Sequence, residues 1–144
     1  MYIHFRLLPK EDIQQIVPFL FDLNEGRITE DLLAERASEM ATQNYECIGI
    51  YEGERLAGIC GLWFQTRHYA GKSMELDHIY IEPGLRDQGI GSGLLDYIYE
   101  LADQRACQWI ELNTYVENFP SHRFYYRHGF VGRGLHFIKA LDQA

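Results

Sequence analysis

Between residues 74 and 115 the chain changes its hydrophobic period twice, and that limits the folds open to it. Met74 to Ile81 alternates apolar and polar residues, the pattern of a half-buried strand. From Gly89 to about Ala106, Leu94, Leu95, Ile98, Leu101 and Ala102 recur at helical spacing. Trp109 to Tyr115 returns to strand character. A strand–helix–strand unit pairs its strands in parallel through a right-handed crossover. Upstream, Tyr45–Tyr51 and Leu56–Phe64 flank the turn Glu52-Gly53-Glu54-Arg55, which predicts an antiparallel hairpin. The expected fold class is therefore α/β, a mixed sheet with helices on its faces.

The remaining elements follow from the same signals. Residues 2–8 read as a first strand. Lys10 to about Asn24 reads as a helix that Pro18 kinks or splits, with Ile13, Ile16, Val17, Leu20 and Phe21 on one face. Thr29 caps a second helix running to about Gln43, carrying Leu32, Leu33, Ala37 and Met40. Gln65 to Lys72 reads as a polar loop, Phe119 to about His128 as a short helix, and Phe130 to Ala140 as a closing strand. With no repeat or linker, 1–144 is expected to be a single domain.

Composition sets the bounds. A chain of 144 residues that is 47% hydrophobic can bury roughly two-thirds of its unfolded surface and needs no metal or disulfide to hold it. Thirteen basic and 21 acidic residues give a net charge of −8, which argues against non-specific nucleic-acid binding. That charge suits a cationic small molecule and equally suits solubility. The 3 cysteines form no C-x-x-C pair, so no metal site is expected. Met1 leads directly into a strand pattern, and no apolar run is long enough to span a membrane. No membrane partner is expected, and the expected location is the cytoplasm.

The strongest local signal is Arg86-Asp87-Gln88-Gly89-Ile90-Gly91-Ser92-Gly93, which joins a strand to a helix. Glycines there let backbone approach an anion, and N–H groups at the helix start point toward it. The segment lacks the Gly-Lys-Ser/Thr ending of a Walker loop. Its G-x-G-x-G spacing also differs from the dinucleotide fingerprint G-x-G-x-x-G. A tight strand–helix turn without a ligand is the plain alternative.

Arg86-x-x-Gly89-x-Gly91 resembles the Gln/Arg-x-x-Gly-x-Gly/Ala signature of the GNAT superfamily of N-acetyltransferases. A second block, Asn118-Phe119-Pro120-Ser121-His122-Arg123-Phe124-Tyr125-Tyr126-Arg127-His128-Gly129-Phe130, is similar to the family's next segment at Asn118, Ser121, Phe124, Tyr125, Gly129 and Phe130. Asp87 and Gln88 stand where the family often carries a glycine and a basic residue. The resemblance implies a mostly antiparallel sheet with a central splayed parallel pair and helices on both faces. It implies acetyl-CoA as cosubstrate, with Arg86, Asp87, Gln88, Gly89, Ile90, Gly91 and Ser92 at its pyrophosphate. It places the backbone of Ile79 and Ile81, and the residues Asn118, Ser121 and Tyr125, along the rest of the cofactor.

Acetyl transfer to an amine requires loss of a proton from an ammonium of pKa about 10.4, a donor to the tetrahedral oxyanion, and a proton or hydrogen bond for the leaving thiolate. By the resemblance Tyr125 is the acid at sulfur, with Tyr126 as its rival. Period-two geometry puts Glu75, Asp77, Ile79 and Ile81 on one strand face. Asp77 or Glu75 is therefore the candidate base, Asp77 favoured, with substrate-charge binding as the alternative role. His78 points the other way in a regular strand, and a bulge would change that. Asn118 doubles as a helix cap. The expected acceptor is the amine of a small molecule. A non-catalytic acyl-CoA sensor and a protein N-acetyltransferase are the competing readings. A homodimer is expected through the C-terminal end, where Phe130, Leu135, Phe137 and Ile138 supply an apolar surface.

Overall fold

The hairpin at residues 52–55 organises the sheet. Strand β2 (Tyr45–Glu52) and strand β3 (Arg55–Arg67) pair antiparallel with Glu52 opposite Arg55. Strand β1 (Ile3–Leu7) adds to β2 on one side, and β4 (Gly71–Ile81) to β3 on the other, both antiparallel. Strand β5 (Trp109–Leu112) lies parallel to β4, giving the order β1-β2-β3-β4-β5. The computed structural model describes residues 2–142. The chain divides into two compact units between Glu111 and Leu112.

One face of the sheet is covered by the N-terminal helices. Pro18 does split the expected first helix. Residues Lys10–Ile16 form a 3₁₀ turn, and helix α1 (Val17–Leu23) starts with the proline in its first turn, where a missing N–H costs nothing. Helix α2 (Glu30–Met40) is capped by Thr29, whose hydroxyl accepts the Leu32 N–H at 3.2 Å. Ile16, Val17, Leu20, Leu33 and Ala37 form a core with Tyr45, Cys47 and Ile59. Leu32 of the same helix is exposed. Helix α3 (Ile90–Gln104) buries Leu94, Leu95, Ile98, Leu101 and Ala102, the face its spacing predicts.

Three expectations need correction. The polar loop at 65–72 shrinks to residues 68–70, because β3 and β4 continue pairing from Gln65–Ser73 to Arg67–Gly71. Strand β5 stops at Leu112, three residues short of Tyr115. The closing strand at 130–140 does not form. Helix α4 (Phe119–Arg127) is followed by irregular backbone, with Leu135, Phe137 and Ile138 exposed. A strand needs a partner ladder, and Gly129, Gly132 and Gly134 add conformational freedom there.

Candidate active site

Strand β4 carries the site residues, and its register with β3 is broken at the point that matters. Gly61 pairs with His78, but the next residue, Leu62, pairs with Leu76. Asp77 is therefore an extra residue without a partner, a β-bulge. The bulge resets the alternation. Glu75 pairs with Trp63, which also lies opposite Tyr45. Beyond the bulge it is His78, not Ile79, that shares this face. The expectation that Glu75, Asp77, Ile79 and Ile81 line one face is overturned. Ile79 and Ile81 take the opposite parity, opposite Cys60 and Gly58.

The two carboxylates consequently occupy different environments. Gln65 Nε2 donates to Glu75 Oε1 at 3.3 Å, and Arg67 Nη2 stands 3.7 Å from the same oxygen. Arg67 also bonds Glu111 through Nε at 3.2 Å. Glu75 is thus one acid of a three-member charge cluster. Asp77 is half-exposed, with Trp63 Nε1 donating to Oδ2 at 3.1 Å and His78 Nδ1 3.4 Å from that oxygen. Hydrogen bonding from His78, assisted by Trp63, holds the Asp77 carboxyl below its ordinary pKa against the opposing effect of burial.

His78, Tyr45 and Trp63 belong to a group that the sequence did not reveal. The Tyr45 hydroxyl lies 2.9 Å from His78 Nε2, and the Tyr45 ring is 5.1 Å from that of Trp63. Burial pushes the Tyr45 phenol far above its usual pKa, so it remains protonated. No spacing signal marks this set, because its members come together only across three strands.

At the C-terminal end of β4, a cavity of about 420 Å³ is lined by Ile79, Tyr80, Ile81, Arg86, Asp22, Leu23 and Glu25. Strand β5 has four residues against eleven in β4. It starts beside Lys72, whose carbonyl accepts the Gln108 N–H at 2.8 Å. It therefore runs along only the first part of β4, and the Ile79–Ile81 stretch extends past it.

The glycine-spaced loop leaves β4 through a short 3₁₀ turn, Pro83–Leu85. Arg86 is anchored on the strand end, its Nε donating to the Ile81 carbonyl at 2.7 Å and its guanidinium 5.0 Å from the Tyr80 ring centre. Gln88 Nε2 donates to the Gly84 carbonyl at 3.1 Å. Asp87 is exposed and has φ 62°. Gly89 is the helix N-cap, with φ 75° and no side-chain cap. Ile90 is buried and anchors the helix start, followed by Gly91 and Ser92. The first N–H groups of a helix have no partner within it. Here they are presented beside a cationic Arg86 and at the positive end of the α3 dipole, which suits a phosphate.

The second unit carries the other motif. Asn118 caps α4, its Oδ1 accepting the Ser121 N–H at 3.3 Å. His122 Nε2 lies 2.9 Å from the Tyr115 carbonyl oxygen. Tyr125 is half-buried, edge-on to Phe124 and Phe130 with ring centres 5.3 and 5.5 Å away, whereas Tyr126 is exposed. The Phe130 N–H closes the helix end on the Tyr125 carbonyl at 2.9 Å.

Among the described residues no group of His, Cys, Asp and Glu could hold a metal ion, and no helix is long and apolar enough to cross a membrane.

Comparison with known proteins agrees with this geometry. The chain is 34% identical over 95 residues to an aminoalkylphosphonate N-acetyltransferase of Salmonella typhimurium, covering 65% of this chain and 61% of that protein. The matched stretch is thus less than two thirds of that relative's length. The fold superposes on a ribosomal-protein-alanine N-acetyltransferase from Brucella melitensis with a TM-score of 0.81 at 18% identity, covering 98% of this chain and all of the other. It superposes equally on aminoglycoside N-acetyltransferase AAC(6')-Iy in complex with CoA, with a TM-score of 0.81 at 14% identity and coverage of 97% and 95%. The description of the acetyltransferase (GNAT) family matches residues 11–130, and the chain belongs to that family.

Proposed function

We propose that the chain is one N-acetyltransferase domain, residues 1–144, that moves the acetyl group of acetyl-CoA to the amine of a small molecule. The observation that carries this reading is the uncapped start of α3 at Gly89, which follows the strand end and cavity where a thioester arm can lie. The backbone of Ile79 and Ile81 is suited to the pantetheine arm. Arg86 through Ser92 are suited to the pyrophosphate, although Asp87 brings the wrong charge. The name of the aminoalkylphosphonate relative and the CoA complex of AAC(6')-Iy support both the cosubstrate and the acceptor class.

In this reading the amine nitrogen attacks the thioester carbonyl, the C–N bond forms, and the C–S bond breaks. Asp77 receives the acceptor's N–H and takes its proton, directly or through water. Tyr125 protonates the departing thiolate. Asp77 is preferred to Glu75 because Glu75 is already bound by Arg67 and Gln65. A carboxylate held low is a weak base, so Asp77 also holds the ammonium charge.

The test is thiol release from acetyl-CoA with a panel of aminoalkylphosphonates, aminoglycosides, polyamines and N-terminal peptides. Release that depends on a small amine is expected. Binding without turnover would favour an acyl-CoA sensor, and turnover of peptides alone a protein acetyltransferase. Tyr125→Phe should lower kcat on the order of 10²–10⁴-fold with acetyl-CoA affinity retained. Asp77→Asn should remove the pH limb for amine deprotonation or, if charge holding dominates, raise the amine KM with kcat little changed. Glu75→Gln should be the mildest of the three. Wild-type constants in all of them would reject these roles. The exposed Leu135, Phe137 and Ile138 support a homodimer, and a monomer mass by light scattering at high concentration would end that idea.

A further inference from the structure

We propose that His78 is the positioning residue of the acceptor site: clamped by the β4 bulge between the Tyr45 hydroxyl and Asp77, it determines which Asp77 oxygen is left for the amine. This rests on the reading that Asp77 receives the acceptor. A regular strand would turn His78 to the other face; the bulge at Asp77 brings it to this one.

The clamp is a built feature. The His78 side chain is only 9% exposed, which for an imidazole requires partners at both nitrogens. Nε2 has the Tyr45 hydroxyl at 2.9 Å, and Nδ1 has Asp77 Oδ2 at 3.4 Å. Gly61, directly opposite His78, makes the room. A Cβ there would collide with the imidazole and stand 2.7 Å from the Tyr45 hydroxyl. An alanine at 61 could be accommodated only by moving the ring.

The hydrogen-bond directions follow from the surroundings. The Asp77 carboxylate beside Nδ1 can only accept, so Nδ1 carries a proton, and Tyr45, 1% exposed and a neutral phenol, can donate to Nε2. A neutral imidazole that accepts at Nε2 carries its proton on Nδ1. That N–H faces the Asp77 carboxylate. Trp63 Nε1–H reaches the same oxygen, Oδ2, and among the described residues nothing bonds Oδ1. Two donors on one oxygen orient the carboxylate and leave Oδ1 to a ligand. The ionisable groups on this face are Tyr45 and Cys47 from β2 and Glu75 from β4, with Asp77 at the bulge, while Cys60 of β3 has the opposite parity. Burial raises both thiols, Cys47 to about 11. The helical residues packed on this face, Ile16, Val17, Leu20, Leu33 and Ala37, are apolar.

The sign of the pH effect follows. The His78 hydrogen bond lowers the Asp77 pKa, so its removal moves the acidic limb of amine kcat/KM to higher pH. His78→Leu should show that shift, with amine kcat/KM down on the order of 10- to 10²-fold and the KM for acetyl-CoA unchanged. His78→Asn, which can keep a donor near the Nδ1 position, should recover much of the loss. Gly61→Ala should change the profile in the same direction as His78→Leu. In the wild-type protein, ¹⁵N NMR of the His78 ring should report the Nδ1–H tautomer at neutral pH, a readout that holds even if a variant fails to fold. A folded His78→Leu with wild-type amine kcat/KM and an unmoved limb overturns the proposal, as does an Nε2–H tautomer. If Asp77→Asn leaves the limb and the amine constants unchanged, the assignment of Asp77 itself fails. If Asp77→Asn removes the limb while His78→Leu does not shift it, only the positioning role fails.

Discussion

Helices α3 and α4 each begin inside one of the two sequence motifs, yet they treat their first N–H groups in opposite ways. At α4 the chain satisfies itself. Asn118 Oδ1 accepts the Ser121 N–H, and Pro120 removes a second donor from the first turn. At α3 the N-cap is Gly89 in the left-handed region, and no side chain turns back onto the helix. Both helices carry a dipole, but a dipole without available donors binds an anion weakly. An anion cradle is thus marked by the cap a helix lacks, together with a neighbouring cation. Arg86, anchored to the Ile81 carbonyl, supplies that cation at α3.

The largest expected effect breaks the comparison at α3. Gly89→Val places a β-branched residue at φ 75°, a conformation that costs such side chains on the order of 1–3 kcal/mol. The helix start should refold locally and misdirect its donors. Losing two charge-assisted bonds, at about 1.5–3 kcal/mol each, should weaken acetyl-CoA by on the order of 10²-fold or more and abolish its thermal shift. Gly89→Asn, which tolerates the left-handed region, should lose far less. Titration calorimetry with both variants tests the ordering. Wild-type affinity in both variants would mean that this loop does not hold the cofactor.

The middle effect concerns α4. Asn118→Ala removes a helix cap and should destabilise the fold by about 1 kcal/mol, a fall of a few degrees in Tm. If the side chain acts only as a cap, acetyl-CoA affinity stays within about twofold. A larger loss of affinity, measured well below the melting transition, would restore the cofactor contact that the sequence motif implies and narrow the contrast between the two helix starts.

These two helix starts were legible in the sequence because capping is local chemistry. Thr29 before α2, Gly89 before α3 and Asn118 before α4 are each read within four residues of their effect. The hairpin at 52–55 was legible for the same reason. What failed was non-local. The bulge at Asp77 depends on how β4 meets β3 at Gly61, and no alternation within Met74–Ile81 announces it. One inserted residue then reversed the face of everything downstream, bringing His78 in and taking Ile79 and Ile81 out. The C-terminal strand failed similarly. Apolar residues at 130, 135, 137 and 138 read as strand, but pairing needs a neighbour that sequence periodicity does not supply. The contacts of Glu75 with Arg67 and Gln65 on the facing strand were likewise beyond the alternation of β4.

The smallest effect sharpens the comparison from within the α3 loop. Asp87 combines a positive φ of 62° with a negative charge next to the proposed pyrophosphate site. Glycine adopts that backbone without a Cβ penalty, but it also enlarges the unfolded ensemble, so Asp87→Gly should change stability by less than about 1 kcal/mol. The charge effect is separable. An exposed carboxylate several ångströms from a phosphate repels it by about 1 kcal/mol or less in water. Its removal should therefore tighten acetyl-CoA by roughly two- to fivefold at low salt. Screening shortens the reach of such a repulsion to about 3 Å at 1 M salt, so the gain should vanish there. Calorimetry at low and high ionic strength checks this directly. A gain that persists at high salt would point to relief of backbone strain, and no gain at either would mean that Asp87 points away from the anion. In that last case the donors of α3, more than the charges around them, would account for the difference between the two helix starts.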